Sequence, residues 1–429
     1  MQPADRRTQL KLATGSGIER KVLGTIPRHI IHRSEGENGA ESVGAFRNEQ
    51  DERAARAVTA EINAVRIDER QLAKVLGGSQ HVLHLFKQDR GLTWDDPFFV
   101  LRNDARGEYF FGQLAWPASY LLEFQKDDGL SLKTGPLTAN ALRVLAAGET
   151  IASPGVHLGC VKGDFDATAR AMHDHIRRSV LPRPPAERSC RVQYIHPEDQ
   201  PLTVYRGDAY NETGVKKCMD VAAATGMEVF IVDGPTWCSA YGNWLVPDTR
   251  RFPGGLKPLV EYAHRTGLLF ALYAEPEGGR EGYTSVGHGA TIGPWSWSKV
   301  FREHSDWFVQ PQSVLNLAIP EAAAYMEAEL GRIIEHYGLD LYRHDFNAPQ
   351  RGEGSVTPRN GFVESDYWRH YEALGGIVTR VRGKYPNLIL QQASAGGTRL
   401  ELDALACWHE HYTSDRASFP EVAARRALA

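Results

Sequence analysis

A group of polar residues ends an otherwise apolar run of this sequence, the stretch GLDLYRHDFNAP from Gly338 to Pro349. Its mostly apolar first half leads directly into Arg343, His344 and Asp345, with an asparagine two positions further on. One polar strand end says little by itself, because a side chain that caps the following helix explains it more often than not. Several such ends on neighbouring strands would instead indicate chemistry that uses carboxylates, cations and amides together.

Similar polar ends follow other predicted strands in the second half of the chain. The predicted strands are CRVQYIHP (190–197), MEVFIVDG (227–234), GLLFALYAEPE (267–277), GLDLYRHDFN (338–347), NLILQQASAG (387–396) and HEHYTSD (409–415). Their C-terminal ends carry Asp233, Glu275, Glu277, Arg343, Asp345, Asn347, Ser394 and Asp415. Helical segments such as LKPLVEYAHRTG separate the strands, and this alternation predicts an α/β fold, a (β/α)8 TIM barrel. Because all strand ends of such a barrel meet at one rim, the pattern predicts a common site.

Local patterns divide the chain into three segments. Residues 1–80 are charged and weakly patterned, so their structure is poorly defined from sequence. Residues 81–185 contain short runs rich in Phe, Tyr, Val and Leu between turn residues, which predict a partial antiparallel β-sandwich-like domain and a linker helix. Residues 186–429 form the predicted catalytic barrel, which has only about six strands and is therefore expected to be truncated.

The overall composition excludes several classes of protein. A net charge of -4 over 429 residues suggests neither nucleic acid nor a membrane surface as a partner. There is no run long enough to span a membrane, and the N-terminus lacks the apolar region of a signal peptide. The five cysteines include no CxxC pair, so we expect reduced cysteines and a cytoplasmic location.

Clustered carboxylates without a metal or phosphate motif fit the hydrolysis of glycosides. The chain contains no GxxxxGK[ST], HExxH or Rossmann GxGxxG motif, so we expect no cofactor and no metal. Glycoside hydrolysis needs one carboxylate as nucleophile and a second as proton donor, about 5–5.5 Å apart in enzymes that retain the anomeric configuration. Sequence spacing does not tell which two carboxylates these are.

Several motifs, in order, resemble the retaining α-galactosidases of glycoside hydrolase family 36, the melibiase group. Residues 228–277 contain a strand ending in Asp-Gly with a nearby tryptophan, then FPGGL, then a strand ending in EPE. Further motifs are LNLAIPEA, YRHDFN, ASAGGTRLELDAL and YTSD. FGQLAWPASYLLEF resembles the end of that family's N-terminal β-sandwich, so the similarity spans about residues 108 to 415.

The resemblance implies two catalytic carboxylates. Asp345 would be the nucleophile that forms a covalent glycosyl-enzyme, and Asp415 the general acid and then the base that activates water. Arg343 stands where many members have lysine, and it would keep Asp345 ionised and bind a sugar hydroxyl.

The same resemblance implies residues that bind the sugar. Asp233 would accept hydrogen bonds from O4 or O6 of galactose, and the axial O4 would separate galactose from glucose. The other implied contacts are Trp237 and Trp244 lining the pocket, Asn347 on a hydroxyl, Ser394 at the family's cysteine position, Gly396 and Gly397 at a close backbone approach, and Arg399 positioning this loop or contacting ligand.

Three departures from the family pattern leave the specificity open. Asp233 is followed by GPTW, one residue longer than the family motif, QYIHPE replaces the usual first-strand Trp-Glu, and His344 replaces a frequent Trp or Gln. Four functional hypotheses remain. Two are an α-galactosidase that acts on α-galactoside oligosaccharides and an enzyme for another α-glycoside, such as an α-N-acetylgalactosaminide. The other two are a transglycosylase and a non-catalytic carbohydrate-binding remnant.

The segment after Asp415, RASFPEVAARRALA, is too short for two further strands with helices. The chain would then be a gene fragment, a truncated gene prediction or a chain that a partner completes. We favour a fragment and expect poor solubility or very weak activity when it is expressed alone, because an open parallel sheet exposes unpaired edges. Family members often form homo-oligomers, and nothing in the sequence locates an interface.

Overall fold

The computed structural model describes residues 8–12, 21–22, 67–68, 82–87, 97–103, 106–126, 130–185, 191–196, 210–234, 237–279, 298–309, 314–346, 355–397 and 399–412. Two of the predicted site residues, Asn347 and Asp415, lie outside these ranges. The division into three segments at residues 80 and 185 stays a prediction.

Antiparallel sheets form the first part of the described chain, as the short apolar runs predict. The strands are β1 (Thr8–Leu12), β2 (Lys21–Val22), β3 (Ile67–Asp68), β4 (Val82–Lys87), β5 (Phe98–Asn103), β6 (Glu108–Leu114), β7 (Tyr120–Lys126), β8 (Leu130–Pro136) and β9 (Val156–Lys162). They build a four-stranded sheet of order β1-β8-β7-β4, a three-stranded sheet of order β5-β6-β9, and the pair β2-β3. Strand β1 lies in a segment for which the sequence predicted no element, and its Thr8 pairs with Thr134 of β8.

A six-stranded parallel sheet forms the second part. Its strands, in sheet order, are β10 (Gln193–His196), β11 (Val229–Val232), β12 (Leu269–Ala274), β15 (Leu341–His344), β18 (Ile389–Gln392) and β19 (Glu410–His411). The short pairs β13 (Phe308–Val309) with β14 (Val314–Leu315), and β16 (Val356–Arg359) with β17 (Phe362–Ser365), are antiparallel. This parallel half-barrel, preceded by antiparallel sheets, confirms the predicted fold class: a TIM barrel with about six strands.

Helices connect the strands of the parallel sheet and cover its outer face. The described helices are α1 (Phe165–His175), followed by a π-helical turn (Ile176–Val180), α2 (Glu212–Ala224), α3 (Lys257–Arg265), α4 (Lys299–Glu303), α5 (Pro320–Tyr337), α6 (Tyr367–Lys384), α7 (Ser394–Gly397) and α8 (Leu402–Leu405), with a 3-10 turn at Ser305–Trp307. Helix α5 begins at a proline, which suits the first turn of a helix. It ends at Gly338 in the left-handed conformation, with φ of 62°, as expected for a glycine stop.

Alternating side chains of the parallel strands build two apolar layers. Val229, Ile231, Ala271, Leu341 and Ile389 form one buried cluster on the concave face of the sheet. The intervening residues, among them Phe230, Val232, Phe270, Leu272, Tyr342 and Leu390, pack into the larger cluster shared with the helices. Because both faces are buried, the strands read as nearly continuous hydrophobic runs rather than as alternating ones.

The parallel sheet is strongly curved. Gln193 lies on the first strand, β10, and Glu410 on the last, β19, at opposite edges of the sheet. Nε2 of Gln193 nevertheless donates a hydrogen bond of 2.6 Å to Oε2 of Glu410. The two edge strands therefore approach each other across the concave side, as in a barrel.

The antiparallel sheets pack against helix α6 through aromatic residues and a buried carboxylate. The rings of Trp116 and Trp368 lie 5.2 Å apart between centroids. Glu364 is fully buried at the end of β17, where it pairs with Arg359 at 3.0 Å and Arg369 at 2.6 Å and accepts the backbone N–H of Val144. This ion pair ties the segment after β8 to the hairpin and to the helix.

A buried histidine beside β19 makes the fold sensitive to acid. His409 is 7% exposed, and its Nδ1 accepts the backbone N–H of Leu390 at 3.0 Å. Burial, assisted by the nearby charge of Arg382, lowers the pKa of His409 from 6.5 to about 4. The unfolded chain therefore binds more protons between these values, so stability that is present above pH 6.5 is lost as the pH falls towards 4.

Replacing His409 with asparagine should reduce this acid sensitivity, because an amide oxygen can accept the same N–H and does not titrate. We expect the loss of unfolding free energy between pH 7 and pH 4.5 to be smaller in the variant by about 2 kcal/mol. Urea denaturation at both pH values measures it. His336→Asn, on the exposed side of α5, is the control and should leave the pH dependence unchanged. Equal losses of unfolding free energy in the wild type and in His409→Asn would show that His409 is not the source of the acid sensitivity.

Candidate active site

A polar layer lies above the apolar residues on the concave face of the half-barrel. Strand pairing places Tyr273 opposite Arg343, Arg343 opposite Gln391, and Gln391 opposite Glu410. These four residues on four adjacent strands therefore stand at the same height. The next level along the strands, towards their C-terminal ends, is where the sequence analysis expected the site.

Arg343 is the centre of this layer. It is 1% exposed, and its Nε donates to Oδ1 of Asp233 at 2.8 Å while Nη1 donates to Oε1 of Gln391 at 2.8 Å. Its guanidinium carbon lies 4.2 Å from the ring centroid of Tyr412, close enough for a cation–π contact. A planar guanidinium held on several sides presents a fixed positive charge to the concave face.

The carboxyl group of Asp233 is perturbed by its surroundings. Burial is the largest influence and raises the pKa of Asp233, and the charge of Asp345 raises it further. The ion pair with Arg343 works in the opposite direction. Asp345 is therefore close enough for its charge to act on Asp233, and Arg343 is the cation that opposes both this effect and the effect of burial on Asp233.

Asp345 follows β15 directly and is more exposed than the strand residues before it. The side chain is half-buried, whereas Leu341 to His344 are buried. Its backbone N–H donates to the carbonyl oxygen of Ala274 at 3.3 Å, which continues the ladder with β12, and its Oδ1 accepts the N–H of Phe346 at 2.8 Å. A fixed carboxylate that remains partly open to solvent can be reached by a ligand.

A second group of charges lies behind Asp345, around the fully buried Glu277. Arg399 donates to both of its oxygens, at 2.7 Å and 3.0 Å, and Nε2 of His344 lies 2.7 Å from Oε1. Nε2 of His370 lies 3.7 Å from Oε2. Although burial acts in the opposite direction, the charge of Arg399 and these hydrogen bonds hold the pKa of Glu277 well below its usual range.

Comparison with known proteins identifies the family. The Melibiase family model matches residues 170–423, which is more than half of the chain. This chain belongs to the melibiase family.

Curated relatives are distant and longer. Alpha-galactosidase 1 of Pediococcus pentosaceus is 26% identical over 335 residues, 71% of this chain and 42% of that protein. Alpha-galactosidase of Escherichia coli is 23% identical over 364 residues, 78% of this chain and 47% of that protein. The chain thus spans less than half the length of these two relatives.

Solved melibiase-family structures share the fold. A variant of the GH36 alpha-galactosidase AgaA from Geobacillus stearothermophilus, in complex with raffinose, superposes with a TM-score of 0.68 at 18% identity. The match covers 81% of this chain and 49% of the other. At this level of identity the likeness concerns the fold alone.

Both tryptophans that the melibiase resemblance assigned to the sugar pocket lie in the apolar core. Trp237 and Trp244 are 0% and 2% exposed, and their ring centroids are 6.0 Å apart. Nε1 of Trp237 donates to the carbonyl oxygen of Tyr273 at 3.2 Å, and the Tyr337 hydroxyl donates to the carbonyl oxygen of Trp244 at 2.9 Å. This burial supports a packing role, and sugar contact by either ring stays a prediction.

The short helix α7, which follows β18, contains several residues with positive φ angles. Gly396 and Gly397 have φ angles of 71° and 95°, which other residues rarely adopt. Ser394 also has a positive φ, of 45°, and its hydroxyl oxygen accepts a hydrogen bond from Gln392. Ser394 is fully buried, so its contact with a ligand stays a prediction.

The structure also contains polar residues to which the sequence analysis gave no role. Gln391 binds Arg343, and its Nε2 donates to Oε1 of Gln193 at 2.7 Å and to Oε2 of Glu410 at 3.0 Å. Alternation of side chains along LILQQ places Gln391 on the inner face, and this pattern could have identified it from the sequence. Glu277 stood among the polar strand ends, but its pairing with Arg399 has no sequence signal.

The described residues contain no group of three or more His, Cys, Asp or Glu side chains arranged to hold a metal ion. Within the same ranges, no helix is long and apolar enough to cross a membrane. Because Asp415 lies outside the described residues, its distance from Asp345 and its role stay predictions.

Proposed function

We propose that this chain carries the catalytic half-barrel of a retaining α-galactosidase, which removes terminal galactose from α-galactosides. The observation that carries the proposal is the position of Asp345: a half-buried carboxylate at the end of β15, beside the buried ion pair of Asp233 and Arg343, in a melibiase-family sheet. On this proposal, residues 186–429 are the catalytic domain and residues 81–185 an accessory domain.

The proposed reaction has two steps. In the first, a carboxylate oxygen of Asp345 attacks the anomeric carbon and the glycosidic C–O bond breaks, while Asp415 protonates the departing oxygen. In the second, Asp415 takes a proton from water, and the water oxygen displaces Asp345 from the anomeric carbon. Two inversions leave the product with the configuration of the substrate.

Arg343 and Asp233 supply the electrostatics of this site. Arg343, two positions before the nucleophile on the same strand end, provides a fixed positive charge that pairs with Asp233. Asp233, which is held by Arg343, would accept a hydrogen bond from a hydroxyl group of the sugar ring. A buried carboxylate oxygen that lacks this hydrogen bond raises the free energy of the complex. A sugar with O4 in the other orientation should therefore bind poorly.

The remaining assigned residues would shape the site around the sugar. Asn347 would bind a hydroxyl close to the nucleophile, and the loop with Gly396 and Gly397 would allow close backbone approach. The related enzyme that was crystallised with raffinose supports an α-galactoside oligosaccharide as the substrate class. The chain could also form a homo-oligomer, as members of the family often do.

A mechanism-based label tests the proposal directly. A 2-fluorinated galactoside with a good leaving group should form the covalent intermediate and release it slowly, because the electronegative substituent destabilises the positively charged transition state. We expect the chain to gain the mass of one fluorogalactosyl group, on the peptide that contains Asp345, and an excess of galactose to protect it.

Three results would change the proposal. A label on another carboxylate during normal turnover would remove Asp345 as the nucleophile. Faster hydrolysis of an aryl α-N-acetylgalactosaminide than of the galactoside would change the sugar. Galactose binding by calorimetry, with neither label nor turnover, would support a carbohydrate-binding protein instead.

A further inference from the structure

The two residues that flank Asp345 in sequence both contact the ion pair of Glu277 and Arg399. On one side, Nε2 of His344 lies 2.7 Å from Oε1 of Glu277. On the other side, the guanidinium carbon of Arg399 lies 4.1 Å from the ring centroid of Phe346. We call Glu277, Arg399 and His344 the rear clamp.

The rear clamp lies on the side of the strand opposite to the Asp345 carboxylate. Side chains alternate along an extended chain, and Leu341 belongs to the concave cluster while Tyr342 belongs to the cluster shared with the helices. His344, the last residue of β15, therefore points outward with Tyr342, whereas the charge of Asp345 acts on Asp233, which continues the inward-facing positions of β11. The clamp can fix the backbone of Asp345 without any contact with a bound sugar.

Each contact in the rear clamp restricts movement. Glu277 and His344 are fully buried, and the two Arg399 hydrogen bonds are a bidentate pair. The Tyr342 hydroxyl lies 3.0 Å from Nδ1 of His344, and the ring of Trp408 stacks on His344 with centroids 5.0 Å apart. The imidazole is thus held at both nitrogens and on one face.

The rear clamp also joins three separate loops of the half-barrel. Glu277 follows β12, His344 ends β15, and Arg399 follows β18. The three strands are neighbours in the sheet, with β15 in the middle. A shift of either outer loop would therefore be transmitted to the backbone that carries Asp345.

We propose that Glu277, acting through Arg399 and His344, is a positioning residue that holds Asp345 at the distance and angle needed for attack on the anomeric carbon. This inference rests on the proposed function. Small displacements of a nucleophile cost much in rate, of the order of 100-fold for about 1 Å. Because the clamp lies behind the strand, its loss should slow formation of the glycosyl-enzyme and leave the binding of sugar little changed.

The test uses Glu277→Gln in the full chain, with Glu364→Gln as the matched control. Both glutamates are fully buried and paired with arginines, but Glu364 pairs with Arg359 and Arg369, whereas Glu277 pairs with Arg399. We expect Glu277→Gln to lower both kcat on an aryl α-galactoside and the rate of fluorogalactoside labelling about 10- to 100-fold, with KM within about twofold. Glu364→Gln should lower the melting temperature but leave kcat and the labelling rate unchanged.

A second pair of variants keeps the proposal testable if Glu277→Gln does not fold. His344→Gln retains an N–H donor that can face Glu277, and His344→Leu removes it. We expect the leucine variant to label about 10-fold more slowly than the glutamine variant at equal folded fraction, assessed by circular dichroism.

The outcomes distinguish failure of the proposed function from failure of the positioning role of Glu277. Unlabelled Asp345 in the wild-type chain would overturn the proposed function and the positioning role together. Normal labelling of the wild type, with equal labelling rates for Glu277→Gln or for the two His344 variants, would overturn the positioning role alone. So would a rise in KM at constant kcat, since that result would mean a contact with the sugar.

Discussion

Replacing Asp345 with asparagine should abolish the hydrolysis of an aryl α-galactoside. Asparagine has nearly the same shape and can still accept the N–H of Phe346, but its amide is a very poor nucleophile. We expect kcat to fall by about 10⁴-fold or more, as when the nucleophile of other covalent enzymes is removed. The release of the aryl leaving group, followed by absorbance, measures the loss.

Chemical rescue distinguishes a lost nucleophile from a misfolded chain. In Asp345→Gly, a small anion such as azide can occupy the space of the carboxylate and attack the anomeric carbon from the same side. We expect azide to restore release of the leaving group and to yield β-galactosyl azide, in which the configuration is inverted once. Full activity of Asp345→Asn, or an α-configured azide product, would contradict the assignment.

Replacing Arg343 with methionine should damage both stability and activity. Asp233 would lose its cation while remaining buried, and breaking a buried pair from one side typically costs about 3–5 kcal/mol. Because Arg343 opposes the effect of burial, its removal should raise the pKa of Asp233 further. The acidic limb of the kcat/KM profile should then move to higher pH, and the maximum should fall about 10²- to 10³-fold.

Two companion variants make the Arg343 result specific. Arg343→Lys keeps the charge but cannot bind both Asp233 and Gln391 with a rigid fork, so we expect an intermediate loss of about 10-fold. Arg380→Met removes an exposed arginine that pairs with Glu327 on the helices, and it should change unfolding free energy by less than about 1 kcal/mol. An Arg343→Met protein with a normal pH profile would exclude Arg343 from the site.

The polar strand ends were enough to predict which elements meet, because parallel strands place their C-terminal ends on one rim. Asp233 and Arg343 come from strands that are not sheet neighbours, and they are 110 residues apart in sequence, yet they are in direct contact. The approach of Asp233 to Arg343 was therefore predictable at the level of strands and of the faces that alternation assigns.

Side-chain partners were much less predictable than strands. Arg399 and Glu277 are 122 residues apart, and no local pattern links a glutamate in an EPE motif to one particular arginine. The role of the tryptophans after Asp233 was not predictable for a different reason. A sequence pattern does not distinguish a tryptophan that contacts a sugar from one that packs in the core. Both Trp237 and Trp244 are buried, and only coordinates show this.

Strand β1 shows a third reason for a missed element. Its segment TQLKL is short and stands in charged sequence, and it is ordered by pairing with β8 more than 100 residues later, as in the pair Thr8 and Thr134. Propensity over a few residues cannot reveal a strand whose hydrogen bonds all come from so distant a partner.

The hydrogen bond from Gln193 to Glu410 joins positions 217 residues apart. Contacts of such long range are completed late, because the entropy of closing the intervening loop must be offset before they contribute. As a ribosome releases the chain from its N-terminus, strand β10 emerges long before β19, and its neighbour within the described sheet is β11. We therefore expect the concave face to close only after β19 has emerged, and β10 to need protection from association with other nascent chains until then.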